Sequence, residues 1–97
     1  GNRVSPTEIE EAALATGAVA ECAAFGIADA RLGEAIRLIA RPADGLSPEA
    51  ALDLLEAGLR RTVPAYMIPA TVDWRDALPR NANGKLDRAR LKGEGAR

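Results

Sequence analysis

The residues in this sequence that are best suited to chemistry lie in one short stretch, Asn83-Gly84-Lys85. Asn-Gly is a turn dipeptide that tolerates positive φ, and it would present Lys85 at the tip of a loop. The lysine ammonium is a compact charge on a flexible stem, which suits contact with phosphate or carboxylate oxygens. These three residues alone are weak evidence, because the same tripeptide is compatible with an ordinary surface hairpin.

The other reactive side chains exclude several kinds of site. The chain has no histidine, which removes Ser-His-Asp catalysis, Cys-His catalysis and the commonest metal ligand. Cys22 is the only cysteine and lies among alanines, so it is predicted to be a packing residue rather than a nucleophile. Asp29, Asp44 and Asp73 do not cluster at metal-ligand spacing, and no metal site is predicted.

Length and composition are those of one globular domain spanning residues 1–97. Of the 97 residues, 47% are apolar and 28% are charged. Aromatic residues make up 3%, too few for stacking platforms, so no nucleic-acid partner is predicted. No apolar run approaches the roughly 20 residues that span a bilayer, and no signal-peptide pattern opens the chain. With one cysteine, a reducing compartment is expected, and hence the cytoplasm.

Charge is unevenly distributed along the chain. Residues 1–79 contain 7 basic and 12 acidic residues, whereas residues 80–97 contain 6 basic and 2 acidic ones. This basic C-terminal stretch is either a solvated tail or an element that meets an anion such as a phosphate.

The chain begins with the pattern of a capped helix. Ser5-Pro6-Thr7-Glu8 is a capping box with proline at the first helical position. The helix is predicted to run to about Thr16 and to stop at Gly17. Glu10 and Glu11 are expected to face outward.

A β-hairpin is predicted next. Residues 18–27 form a first strand, in which Val19, Phe25 and Ile27 share one parity and therefore one face. Residues 28–33 are predicted to connect it to a second strand over residues 34–41.

The second half of the chain predicts a helix, a strand and a short terminal helix. Ser47-Pro48-Glu49 repeats the cap, and the helix should end near Thr62. Its apolar face is marked by Leu52, Leu55 and Leu59. Tyr66 is expected to pack at the foot of this helix, and Trp74 to lie in the core from a strand over residues 70–76. Residues 87–92 form the last helix, capped by Asp87.

The element order α-β-β-α-β-α predicts an α+β fold. We expect a small three-stranded sheet with a hairpin, flanked by two main helices and a short C-terminal helix.

Four motifs occur in order along the chain: Gly1-Asn2-Arg3-Val4-Ser5-Pro6-Thr7-Glu8-Ile9-Glu10, Asp29-Ala30-Arg31-Leu32-Gly33-Glu34, Tyr66-Met67-Ile68-Pro69, and Leu78-Pro79-Arg80 followed by Asn83-Gly84-Lys85-Leu86-Asp87-Arg88. Together they resemble the C-terminal subdomain of the adenylate-forming superfamily. That superfamily comprises acyl-CoA synthetases, the adenylation domains of non-ribosomal peptide synthetases, and luciferases. The resemblance covers nearly the whole chain.

The resemblance implies part of an AMP-forming acid–thiol ligase. A carboxylate and ATP would give an acyl-adenylate and pyrophosphate, and the thiol of CoA or of a phosphopantetheine group would then take the acyl chain. A large N-terminal domain, absent from this chain, would bind most of the ATP and Mg²⁺. The small domain would swing between one pose for each half-reaction, and the isolated chain is expected to be inactive.

The resemblance also assigns site residues. Lys85 matches the catalytic lysine that enters the active site during adenylation, and Asn83 and Gly84 would support its loop. Gly1-Asn2-Arg3 matches the segment that faces the pantetheine channel in the other pose, although a structural salt bridge is an equal alternative for the arginine.

Three further residues have expected roles beyond these assignments. Arg80 and Arg88 are expected to add positive potential, with no direct contact assigned to them. Trp74 is expected in the core, and stacking on the adenine of CoA is its alternative role.

Alternatives stay open at the level of function. The first motif favours a CoA acceptor, and the later motifs favour an acyl or peptidyl carrier protein, as in peptide synthetases. A different class of function is a non-catalytic interaction module, whose basic C-terminal stretch docks on an acidic partner. The acyl substrate cannot be read from the sequence, because its pocket would lie in the N-terminal domain.

Overall fold

The computed structural model describes residues 5–29 and 33–95, and it has the predicted α+β architecture. Its elements are α1 (Pro6–Ala15), β1 (Val19–Asp29), β2 (Gly33–Pro42), α2 (Pro48–Thr62), a 3₁₀ helix (Ala65–Met67), β3 (Thr71–Trp74) and α3 (Arg88–Gly95). The predicted element order is therefore confirmed. Over the described ranges, none of the helices combines the length and the apolar character that crossing a membrane requires.

Both main helices begin at the serines that the sequence marks as caps. The Ser5 hydroxyl accepts a hydrogen bond from the Glu8 N–H at 3.5 Å, and the Ser47 hydroxyl accepts one from the Ala50 N–H at 3.1 Å. Shortly after α1, Gly17 has a φ of 79°, the left-handed conformation predicted for a helix stop.

The antiparallel hairpin of β1 and β2 is confirmed and is longer than predicted. Pairing continues to Asp29 opposite Gly33, so the strands extend through residues expected to be a connection. Residues 30–32, which join the two strands, lie outside the described part of the chain.

A register shift between Val19 and Glu21 overturns the expected parity of β1. Equal parity predicts that Val19 shares a face with Phe25. Instead, Val19 packs with Cys22 in one apolar cluster, whereas Phe25 packs against the other. The irregularity between them breaks the two-residue repeat, so side chains on its two sides no longer follow one alternation.

The third strand runs parallel to β2, and the sheet order is β1-β2-β3. A parallel neighbour requires a crossover connection, which α2 supplies. Hydrogen bonds of 2.8 Å from the Ala70 N–H to the Ile36 oxygen and from the Arg75 N–H to the Ala40 oxygen extend the contact by one residue at each end. The strand therefore falls within the predicted range of 70–76.

Each face of the sheet carries its own apolar cluster. The helix-side cluster joins the sheet to α1 and α2, and its largest fully buried side chains are Ile9, Leu38, Leu55 and Leu59. The loop-side cluster joins alternate sheet positions to residues that follow β3, and it consists of Ala23, Ile39, Leu78 and Leu91. Because both faces are covered, the C-terminal residues form a layer of their own.

Two expectations about exposure are wrong. Glu10 is only 6% exposed, whereas its neighbour Glu11 is exposed as expected. Tyr66 is 50% exposed instead of packed, because the 3₁₀ helix directs Met67 into the core in its place.

The contact between α1 and α2 gives a test of the packing. A Cβ added at Gly58 would lie 2.6 Å from Thr16 Cγ2 and 2.9 Å from Thr16 Cβ. Thr16 cannot easily turn away, because its hydroxyl donates to the Ala13 oxygen at 2.6 Å and accepts from the Ala18 N–H at 3.1 Å.

We expect Gly58→Ala to destabilise the domain in urea unfolding. Alanine raises helix propensity by about 1 kcal/mol, but overpacking costs roughly 1–3 kcal/mol. Thr16→Ser removes Cγ2 and keeps the hydroxyl, so it should recover part of the loss in the double variant. A Gly58→Ala domain that is more stable than the wild type would contradict the described packing.

Candidate functional site

We call residues 80–86 the lysine loop; it is a turn closed by backbone hydrogen bonds. Arg80 and Leu86 form an isolated antiparallel bridge. Inside it, the Asn81 N–H donates to the Lys85 oxygen at 2.8 Å, and the Gly84 N–H donates to the Asn81 oxygen at 3.0 Å. These bonds give the loop one defined backbone path.

The Asn81 side chain braces the same turn from inside. Its Oδ1 accepts hydrogen bonds from the Asn83 N–H at 2.9 Å and from the Lys85 N–H at 3.2 Å. Sequence analysis did not single out this residue. An asparagine two residues before Asn83 is the usual pattern of an Asx turn, and it could have identified Asn81.

Gly84 supplies the left-handed backbone conformation that the turn needs. Its φ is 80°, and among the described residues only glycines have positive φ, so Asn83 does not share this role. An added Cβ at Gly84 would meet nothing within 4 Å inside the domain. The requirement for glycine within this domain is therefore conformational rather than steric.

Lys85 is exposed on this braced turn. Within residues 5–29 and 33–95, its ammonium has no hydrogen bond or ion pair. A compact positive charge in this position is available to an anion outside the domain.

The two arginines that flank the lysine are both engaged inside the domain. Arg80 forms an ion pair with Glu21 and also donates to the Gly84 oxygen at 3.3 Å. Glu21 is held from its other side by Arg41 at 2.8 Å. Burial acts to raise the pKa of Glu21, but the hydrogen bond from Arg41 and the charges of Arg80 and Arg41 outweigh it, so the pKa is lowered.

Arg88 forms the second internal ion pair, with the buried Glu10. Its Nη1 bonds Glu10 Oε2 and its Nη2 donates to Oε1 at 2.6 Å, which is a bidentate arrangement. The same carboxylate accepts a hydrogen bond from the Ala24 N–H of β1 at 2.8 Å. The hydrogen bond to Glu10 raises the pKa of Arg88 above its already high usual value.

The two ends of the lysine loop also rest on the apolar core. Leu78 is buried just before the loop, and Leu86, the last residue of the loop, packs against the same loop-side cluster. The Asp87 N–H donates to the Pro79 oxygen at 2.9 Å, and the Asp87 carboxylate accepts from the Arg90 N–H at 3.0 Å, which caps α3 as predicted.

The remaining predicted site residues are dispersed or undescribed. Gly1, Asn2 and Arg3 lie outside the described residues, so their pantetheine-facing role stays a prediction. Trp74 is half-buried against the helix-side cluster and lines a groove of about 220 Å³ between α2 and β3. In the described ranges, no group of three or more carboxylate or cysteine residues is placed to hold a metal ion.

Cys22 is buried, and its Sγ lies 3.7 Å from the backbone carbonyl oxygen of Glu10. Burial, together with the nearby Glu10 charge, raises the pKa of this thiol to about 12, although the Arg88 charge opposes the shift. This environment disfavours the thiolate, in agreement with the predicted packing role.

The fold and the loop define a class of protein: a small α+β domain that presents one lysine on a turn fixed by ion pairs. Residues 8–85 match the family described as AMP-binding enzyme C-terminal domain. The chain belongs to this family, and the resemblance inferred from the four motifs is confirmed.

Individual relatives support the same assignment. The chain is 35% identical over 94 residues to feruloyl-CoA synthase from Amycolatopsis, covering 97% of this chain and 18% of that protein. It is 36% identical over 91 residues to isonitrile lipopeptide synthase from Streptomyces coeruleorubidus, covering 94% of this chain and 6% of that protein.

Solved structures contain the same domain. An acyl-CoA synthetase from Brucella canis matches with a TM-score of 0.81 and 31% identity, over 98% of this chain and 18% of that one. The chain therefore spans only 18% of the length of each of these two enzymes, the feruloyl-CoA synthase and the Brucella canis acyl-CoA synthetase.

The role of the Asn81 side chain can be measured by NMR relaxation. In Asn81→Ala, the Asn83 and Lys85 amides lose their shared acceptor, so their order parameters should fall from near 0.85 to below about 0.6. Asn83→Ala is the matched control, because it removes a neighbouring side chain that accepts neither bond. Unchanged order parameters in Asn81→Ala would show that backbone bonds alone fix the turn.

The inert state of Cys22 can be tested by alkylation at pH 8. A pKa near 12 instead of 9 leaves roughly a thousand-fold less thiolate, so iodoacetamide should label the native chain far more slowly than the urea-unfolded chain. Equal labelling rates in the two states would contradict the burial and the raised pKa.

Proposed function

We propose that this chain is the mobile C-terminal lid domain of an ATP-dependent, AMP-forming acyl-CoA ligase. The observation that carries the proposal is Lys85, an exposed ammonium on a braced turn in a domain of this family. The acyl-CoA synthetases among its relatives and structural neighbours support the reaction class.

Lys85 acts in the first half-reaction, the adenylation of a carboxylate. Attack of the carboxylate on the α-phosphate of ATP brings two anions together. A cation placed between them offsets their repulsion and stabilises the charge that develops in the transition state. The braced turn suits this role, because a pre-oriented charge needs little reorganisation at the moment of reaction.

ATP and Mg²⁺ are assigned mainly to the large N-terminal domain. Mg²⁺ supplies charge neutralisation on the phosphates when it is bound. The described residues of this chain include no carboxylate cluster that fits a metal ion.

The second half-reaction transfers the acyl group to a pantetheine thiol. In this pose Lys85 is withdrawn and the Gly1-Asn2-Arg3 segment faces the channel. CoA is the proposed acceptor, because relatives such as feruloyl-CoA synthase are named for CoA products. A carrier protein is the alternative acceptor, supported by the match to a lipopeptide synthase.

The internal ion pairs of Arg80 and Arg88 argue against the alternative function, a non-catalytic module whose basic C-terminal stretch docks on an acidic partner. Arg80 and Arg88 contribute two of the six positive charges in residues 80–97, and both are paired with carboxylates of the domain itself. The C-terminal stretch therefore offers less free positive charge than its composition suggests.

A cytoplasmic location agrees with the proposed use of ATP and CoA.

Lys85→Ala in the full-length protein tests the proposal. Carboxylate-dependent pyrophosphate exchange should fall by at least roughly a hundred-fold, because one preorganised charge contributes on that order to the rate. Thioester formation from chemically supplied acyl-adenylate and CoA should stay within about two-fold, because Lys85 is withdrawn in that step.

The substrate for both assays is the acid that gives the largest pyrophosphate release in a screen of aliphatic and aromatic carboxylic acids. Arg61→Ala, which removes an exposed cation from α2, is the matched control and should leave exchange unchanged. Full exchange activity in Lys85→Ala would overturn the proposed role.

A further inference from the structure

We propose that Glu10 and Arg88 are positioning residues for Lys85 in the adenylation half-reaction. The proposal rests on the function given above and extends it to a pair of residues that contact neither ATP nor the acid. Glu10 lies on α1, and Arg88 begins α3, three residues after Lys85. Their bidentate ion pair connects the start of α3, two residues after the lysine loop, to α1 in the opposite layer of the domain.

Stability alone is a poor explanation for this pair. The side chain of Glu10 is 9% exposed and that of Arg88 is 50% exposed, so one charge is nearly desolvated and the other is partly hydrated. Replacing a buried ion pair by apolar residues of similar volume is often neutral or stabilising. A planar guanidinium held at two oxygens does provide one thing that an apolar contact does not, which is a defined orientation.

The carboxylate that orients Arg88 is itself fixed by the sheet. Within the described sheet, β1 is an edge strand, and its Ala24 N–H donates to Glu10 Oε2 at 2.8 Å. Glu10 therefore bridges the edge of β1, with α1 on one side and Arg88 on the other. A continuous path of hydrogen bonds runs from the strand backbone to the residue that starts α3.

The backbone between Arg88 and Lys85 has little conformational freedom. The Asp87 N–H donates to the Pro79 oxygen, and Leu86 forms a β-bridge with Arg80. Both residues between Lys85 and Arg88 are therefore hydrogen-bonded to the chain segment that precedes the loop. A change in the orientation of Arg88 would therefore displace the lysine loop, because no flexible segment lies between them. Displacement of a catalytic group by about 1 Å can cost on the order of a hundred-fold in rate.

Two variants of the full-length protein test the inference, each alone and in the Lys85→Ala background. Glu10→Gln keeps an acceptor for the Ala24 N–H and removes the charge. Arg88→Lys keeps the charge and removes the two-pronged geometry. Leu55→Ala is the control for a general loss of stability, because it opens a cavity in the helix-side cluster. Thermal unfolding is recorded for every variant.

We expect both variants to lower kcat for pyrophosphate exchange by roughly 10- to 100-fold, with KM for ATP and for the acid nearly unchanged. Thioester formation from supplied acyl-adenylate should stay within about two-fold. In the Lys85→Ala background, neither variant should lower the residual exchange further, because the effect passes through the lysine. Leu55→Ala should change both half-reactions to the same extent.

Three results would overturn the inference while leaving the role of Lys85 intact. They are normal exchange in the folded variants, an equal loss in both half-reactions, and a further loss of exchange without the lysine. Retained exchange in Lys85→Ala by itself would instead overturn the proposed function, and the positioning role with it.

Discussion

The arrangement of this domain depends on one buried carboxylate at the edge of its sheet. Glu10 accepts a hydrogen bond from the backbone of β1 and two from the guanidinium of Arg88. A charge in this setting is tolerated only when its oxygens are satisfied, so the strand edge, α1 and the start of α3 are constrained together. Lys85, three residues before Arg88, is exposed and takes no part in the hydrogen bonds to Glu10.

The loop itself combines tight internal bonding with one available charge. Arg80 and Arg88 have carboxylate partners inside the domain, while Asn81 and Gly84 fix the backbone between them. Net basic composition is therefore a poor guide to where this segment can meet an anion. The arginines, Asn81 and Gly84 therefore fix the turn, whereas Lys85 projects from it.

Local patterns predicted the elements well and the long-range polar contacts poorly. The serine caps, the αL glycines and the lysine turn are decided by neighbouring residues, and these predictions are confirmed. The burial of Glu10 depends on Arg88, which is 78 positions away, and helical periodicity carries no information about such a partner. The irregularity in β1 likewise has no marker in an alanine-rich strand. Residues 1–3 of the candidate site lie outside the described structure.

The two-sided sheet has a consequence for how such domains can diverge. Among the described residues, the helix-side and loop-side clusters share no buried residue, and they lie on opposite faces of the sheet. Substitutions that accumulate among α1 and α2 can alter the robustness of the domain without repacking the layer that carries the turn. Evolutionary drift in the helix-side layer can then leave the packing of the lysine-bearing layer unchanged. Glu10 is an exception, because it lies on α1 and forms an ion pair with Arg88 at the start of α3.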